Sequence, residues 1–285
     1  MMIKRYGELV KFSHTIFAMP FAMIGYALAL TSGGYLFDWQ LFVKIILCMV
    51  FARNCAMGFN RWADRKIDAD NPRTANREIP AGVISARGAL VFTLLNALLF
   101  VVVAATINSL TAWLSPVALL VVMGYSYAKR FTSLAHLILG LGLSIAPVGG
   151  YISVTGEFDI APVLLALVVV CWCSGFDIIY ALQDREYDRS VGLHSIPSRF
   201  SVGGALTISS LLHVVAAGVL ILFGVMIGGE WWRWIGIALF IALLVMQHIL
   251  VTPTKQRNIG IAFATLNGIA SVVLAVFIIL SMVVS

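Results

Sequence analysis

The chain has 285 residues, of which 61% are hydrophobic and only 11% charged, with a formal net charge of +6. A soluble chain carries about 25% charged residues, so this composition excludes an ordinary soluble enzyme, a disordered chain and a fibrous protein, and leaves an integral membrane protein. The basic residues cluster in short loops between apolar runs, which is a signature of membrane topology rather than of a nucleic-acid partner.

A spanning helix needs about 20 mostly apolar residues. Nine stretches qualify in chain order: 13–31, 40–59, 88–107, 111–128, 134–153, 160–183, 203–227, 231–252 and 259–283. The first follows a basic start, and without an A-x-A cleavage site it reads as a retained helix. Turn residues separate the spans: Gly33-Gly34, Asn108-Ser109, Gly228-Gly229 and Pro253. No second domain is visible, so the expectation is one all-α membrane bundle over 1–285. Of the 19 Lys and Arg, all but Lys44 and Arg233 fall on one side of the expected layout, counting Arg53 with the end of its helix. That side, with the N-terminus, is then cytoplasmic, and nine spans leave the C-terminus outside.

Cys48, Cys55, Cys171 and Cys173 lie in apolar runs with no C-x-x-C and read as small buried hydrophobes. His136, His194, His213 and His248 have no metal-ligand spacing, and His14 reads as an interhelical polar residue. Gly140, Gly142, Gly149 and Gly150 suggest close helix packing. Trp231, Trp232 and Trp234 form an aromatic belt at the expected outer face. No phosphate-loop or dinucleotide fingerprint appears.

Two loops on the basic side carry the chemistry. After the second span comes NRWADRKIDADNPRTANREIPAG, and after the sixth comes DIIYALQDREYDRSVGLHSIPSRF. Asn60, Asp64 and Asp68 are spaced i, i+4, i+8. Each step of four advances about 400°, so they drift only about 40° per step and share a helix face. Asp177, Asp184 and Asp188 are spaced seven and four, which again places three acids on one face. Carboxylates stacked in this way repel, and charge close to a bilayer is costly. A hard divalent cation removes both problems. Mg²⁺ takes one or two carboxylates together with waters and substrate phosphates. Two such helix ends suit one or two ions bridged by a diphosphate.

Bases accompany the acids. Arg73 and Arg77 follow the first triad, while Lys129 and Arg130 end the fourth span one turn after Tyr125. Arg supplies a planar fork for phosphate oxygens and Lys a point charge. Acids for metal beside bases for phosphate point to a metal–diphosphate substrate. An intramembrane cation transporter would also use the acids, but the neighbouring Arg and Lys would repel its cargo.

With these motifs the chain resembles the UbiA-type intramembrane aromatic prenyltransferases. The strings YALQDREYD, FSHTIFAMPFA and NPRTANREIPAG carry the resemblance, which covers about residues 5–280. YALQDREYD is close to the 4-hydroxybenzoate polyprenyltransferases. The other two look more like the branch acting in menaquinone synthesis by the futalosine route. The resemblance implies nine helices around a cavity open to the cytoplasmic side and laterally to lipid, in an inner membrane. It implies Mg²⁺ held by Asn60, Asp64, Asp68, Asp184 and Asp188 on the diphosphate of a polyprenyl donor. Arg73, Arg77 and Lys129 match diphosphate contacts, with Tyr125 and Arg130 nearby. Asp177 matches an acid near the acceptor. Arg53 matches an Arg meeting the carboxylate of a small aromatic acid, with pairing to an acid such as Asp177 as its alternative role. Tyr187 stands where a further acid is frequent. No obligate protein partner is implied.

Overall fold

The structure is a computed structural model and describes residues 2–10 and 17–284, with the side chains of the first few residues left aside. His14 lies outside the described residues. Thirteen α-helices are present among them: α1 (Met2–Leu9), α2 (Met19–Gly33), α3 (Trp39–Ala63), α4 (Arg65–Asp70), α5 (Ala86–Ala105), α6 (Ser109–Ala128), α7 (Ala135–Thr155), α8 (Ile160–Ala181), α9 (Arg185–Ser190), α10 (Ile196–Arg199), α11 (Val202–Ile227), α12 (Trp232–Leu250) and α13 (Asn267–Val283). A 3-10 turn, Leu182–Asp184, joins α8 to α9, and a π-helical turn, Ile261–Leu266, leads into α13. The described residues form no strand; one isolated bridge pairs Thr252 with Lys255.

Among the described residues eight helical stretches are long and apolar enough to cross a membrane, so the protein is a multi-pass membrane protein. Of the nine expected spans, the first, 13–31, corresponds to α2, a shorter apolar helix of 15 residues. At 1.5 Å per residue it is about 22 Å long. It ends where Gly34 takes a left-handed conformation at φ 65° and its N–H caps the carbonyl of Leu30. Residues 13–16, which the expectation included, lie outside the described residues.

The chain divides into two compact units. The first comprises Met1–Thr15 and Asp38–Tyr127. Here α3 packs on α5 with Gly58 opposite Thr93, and the amide of Asn54 donates to Asn96 at 3.0 Å. The ring of Tyr6 on α1 stacks on Phe92 at 4.8 Å over a small core of Leu9, Ile84 and Ala89. Asp38 caps α3 by accepting from the backbone N–H groups of Gln40 and Leu41, which its N-terminal turn would otherwise leave unsatisfied.

The second unit comprises Ile16–Phe37 and Ala128–Ser285. Small residues bring its helices together: Gly25 of α2 lies against the carbonyl of Pro147, and Gly150 of α7 against that of Ala22. A Cβ at Gly140 would stand 2.6 Å from the carbonyl oxygen of Val170 on α8. Without a hydrophobic driving force in lipid, such backbone approaches supply the packing. Gly149, by contrast, faces open space. Trp172 is the centre of the core, with Phe21, Phe176 and Phe240 around it at 5.0–5.8 Å. Its indole N–H donates to Asn267, which also accepts from Gln247, both at 2.8 Å. Cys55, Cys171 and Cys173 are buried, Cys48 is half-buried, and none of the four forms a disulfide among the described residues.

Candidate active site

In the first unit, α3 ends at Ala63, and Asp64 stands between α3 and α4 with φ −90° and ψ 2°. The hydrogen-bond ladder nevertheless continues, from Asp64 N–H to Asn60 at 2.9 Å and from Asp68 N–H to Asp64 at 2.8 Å. Asn60, Asp64 and Asp68 therefore keep their shared face across the break. The side-chain amide of Asn60 donates to Asp64 Oδ2 at 3.2 Å and to the Ser126 hydroxyl of α6 at 3.5 Å. Asp64 and Asp68 are buried.

The connection after α4 wraps back over these acids. Thr74 donates its hydroxyl to the Asp68 carbonyl at 3.0 Å, and Arg73 N–H donates to Asn71 Oδ1 at 2.9 Å. Arg77 Nη1 then donates to Asp68 Oδ1 at 2.7 Å, a charge-assisted bond with Asp68 nearly enclosed. Arg73 is exposed. Beneath them lies Arg61, only 4% exposed, within electrostatic reach of Asp68, Glu78, Arg77 and Tyr125. Arg61 is not among the residues expected from the sequence. It precedes Trp62 as one of several charges in a mixed run, and only its burial sets it apart. Arg53, half-buried, lies seven residues before Asn60 on α3, about 10 Å deeper along the axis.

The second unit holds Asp177, Asp184, Asp188, Lys129 and Arg130. The chain tightens into the 3-10 turn at Leu182–Asp184, so the single helical face expected for the three acids is interrupted there. A 3-10 turn winds by three residues rather than 3.6 and rotates the helix beyond it. Asp177, with its side chain 21% exposed, turns to α7 and meets His136 Nδ1 at 2.7 Å. Asp188 accepts from the Ser195 hydroxyl at 3.0 Å and lies within electrostatic reach of Asp184, Lys129 and His136. The Lys129 carbonyl accepts from His194 N–H at 2.7 Å. His136 shows no ligand spacing in the sequence because its partner is 41 residues away, beyond any local pattern.

The first unit presents donors of the kind Mg²⁺ takes. Asp68 Oδ2 is buried and has no hydrogen-bond partner among the described residues. The Asn60 amide oxygen takes no hydrogen bond there either, since the nitrogen side of the amide makes the contacts. All available ligand atoms are oxygens, the preference of a hard cation. Among the described residues no three His, Cys, Asp or Glu side chains gather to hold a metal by themselves. Mg²⁺ usually takes one or two carboxylates with waters and phosphate oxygens, and the buried, unbonded Asp68 Oδ2 fits it.

Comparison with known proteins gives the family. The sequence model of the UbiA prenyltransferase family matches residues 18–271. The chain is 31% identical over 232 residues to a 4-hydroxybenzoate octaprenyltransferase of Aliivibrio salmonicida, covering 81% of this chain and 80% of that protein. It is 30% identical over 247 residues to the Yersinia enterocolitica enzyme of the same name, covering 85% and 84%. A UbiA homolog from Aeropyrum pernix, solved in its apo state, superposes with a TM-score of 0.81 at 29% identity over 95% of this chain and 97% of that one. A UbiA homolog from Archaeoglobus fulgidus bound to GPP and Mg²⁺ shares the fold, with a TM-score of 0.78 at 20% identity over 98% and 99%. The chain belongs to the UbiA prenyltransferase family and is a prenyltransferase.

Proposed function

We propose that this enzyme transfers a polyprenyl group from a polyprenyl diphosphate to a small aromatic carboxylate, with 4-hydroxybenzoate the leading acceptor and ubiquinone synthesis the setting. The alternative acceptor within the same chemistry is 1,4-dihydroxy-6-naphthoate, in menaquinone synthesis by the futalosine route. It is favoured by the strings FSHTIFAMPFA and NPRTANREIPAG. The observation that carries the reading is the buried Asp68, held on one oxygen by Arg77 and with the other available beside Asn60 and Asp64. A cation conduit would not set Arg61 and Arg77 against its acids. The enzyme acts as one functional domain over 1–285 in the inner membrane, with the acid-bearing loops and the N-terminus cytoplasmic.

In this account Asn60, Asp64, Asp68, Asp184 and Asp188 hold Mg²⁺, and both acid groups act on the same donor. When bound, Mg²⁺ supplies positive charge that stabilises the departing diphosphate. Arg73, Arg77, Lys129, Arg130 and Tyr125 add donors to the same oxygens. The allylic C–O bond breaks, and the carbon at that position bonds to the acceptor ring ortho to its hydroxyl. The ring proton leaves to Asp177 or to the released diphosphate. Arg53 pairs with the acceptor carboxylate. The apolar helices exclude water that would otherwise quench the allylic cation, and the isoprenoid tail lies in lipid.

The test offers both acids to the purified protein in lipid nanodiscs with Mg²⁺ and one radiolabelled polyprenyl diphosphate, and identifies the product by mass. Prenylated 4-hydroxybenzoate is expected. Product from the naphthoate alone would move the enzyme to the second acceptor, and product from neither would overturn the assignment.

A further inference from the structure

His136 of α7 is 4% exposed and uses both ring nitrogens. Nδ1 lies 2.7 Å from Asp177 Oδ2. Nε2 lies 3.3 Å from the backbone nitrogen of Ile196, the first residue of α10. A backbone N–H can only donate, so Nε2 is the acceptor and carries no proton. The ring proton therefore sits on Nδ1 and is donated to the carboxylate. The imidazole is neutral and its tautomer is set by Ile196. Asp177 has one oxygen fixed and presents the other from a side chain that is 21% exposed.

The turn that supplies Ile196 also serves Asp188. Ser195, one residue earlier, donates its hydroxyl to Asp188 Oδ2 at 3.0 Å. The turn is itself rigid: Ser195 and Ser198 close a reciprocal capping box, and His194 N–H is bonded to the Lys129 carbonyl. His136 is anchored as well, its carbonyl accepting from the Ser174 hydroxyl at 3.1 Å. An unbroken set of contacts thus runs from Asp177 through His136 and the 195–196 turn to Asp188.

We propose that His136 is a positioning residue: its Nδ1–H orients the Asp177 carboxylate toward the aromatic acceptor, while Nε2 ties that acid to the turn that holds Asp188. The inference rests on the aromatic-transfer reading for its consequence and on the hydrogen bonds for its geometry.

Two substitutions separate positioning from mere support. In His136→Asn the amide N–H₂ falls near the place of Nδ1 and still donates to Asp177. In His136→Gln the amide reaches the place of Nε2 and keeps Ile196 but not Asp177. His136→Gln is expected to lower kcat about 10–100-fold, the worth of a hydrogen bond to a charged group, with the KM for the donor unchanged and His136→Asn restoring most of the rate. A Gln variant as fast as the parent, or an Asn variant no faster than Gln, overturns the proposal. Should both variants fail to fold, ¹⁵N NMR of the histidine-labelled parent protein decides. Protonation at Nδ1, with coupling from the Ile196 amide to Nε2, supports the proposal, and protonation at Nε2 overturns it. Absence of aromatic prenylation by the parent enzyme would sink the functional reading alone, because the tautomer is measured without turnover.

Discussion

The two acid-bearing segments solve the same electrostatic problem in different ways. Around 60–78 the carboxylates are deeply buried, and cations sit against them: Arg77 bonds Asp68, and Arg61 lies within reach. Around 177–198 the acids are more open, and neutral groups hold them. Asp177 takes the Nδ1–H of His136, and Asp188 takes the hydroxyl of Ser195. A buried carboxylate without a cation costs several kcal/mol, so the first segment balances its charge within the protein. The second fixes the direction of Asp177 and Asp188 through neutral donors, with Lys129 within electrostatic reach of Asp188. In the proposed mechanism the first segment is a preformed cradle, and the second draws its balance from metal and substrate.

The widest separation between the segments is expected from alanine at their central acids. Asp68→Ala and Asp188→Ala should each lower turnover by about 10²–10³-fold, the scale of removing one stabilising group from a charge-developing transition state. Their stabilities should diverge. Asp68→Ala strands Arg77 and should cost about 3–5 kcal/mol, whereas Asp188→Ala loses a single hydroxyl contact worth about 1 kcal/mol. Thermal unfolding in detergent measures the difference, and equal losses would erase the distinction.

A smaller effect sharpens it. Ser195→Ala should leave the fold intact and raise the Mg²⁺ concentration for half-maximal activity about 10-fold, because hydrogen bonds behind a metal ligand orient it. A metal titration of turnover checks this. An unchanged requirement would remove Ser195 from the account. The smallest effect lies at the far end of α3, where Asp38→Ala should cost about 1 kcal/mol of stability through loss of the cap. Turnover at saturating substrate should not change, and a large loss there would mean that the acids are not the local centre of catalysis.

Much of the layout was legible in the sequence because membrane spans are written in length and apolarity. The breaks at Asn108 and Gly228 fall where turn residues announced them. Asn60, Asp64 and Asp68 were legible because the backbone ladder passes through Asp64, so periodicity survives. The second triad was less so. The tightening at Leu182–Asp184 follows no Gly or Pro signal, and it turns Asp177 and Asp188 to different partners. His136 and Arg61 escaped for a common reason. Their significance lies in burial and in contacts across helices, and a single sequence displays neither.

The account's central claim is that oxygen ligands from both segments hold Mg²⁺ on a prenyl diphosphate during transfer to an aromatic ring. Its most direct test is radiolabelled prenyl transfer by the parent enzyme, Asp64→Ala and Asp184→Ala in nanodiscs, with Mg²⁺ or with EDTA. The account predicts product only from the parent enzyme with Mg²⁺. Undiminished product in EDTA, or from both variants, would contradict it.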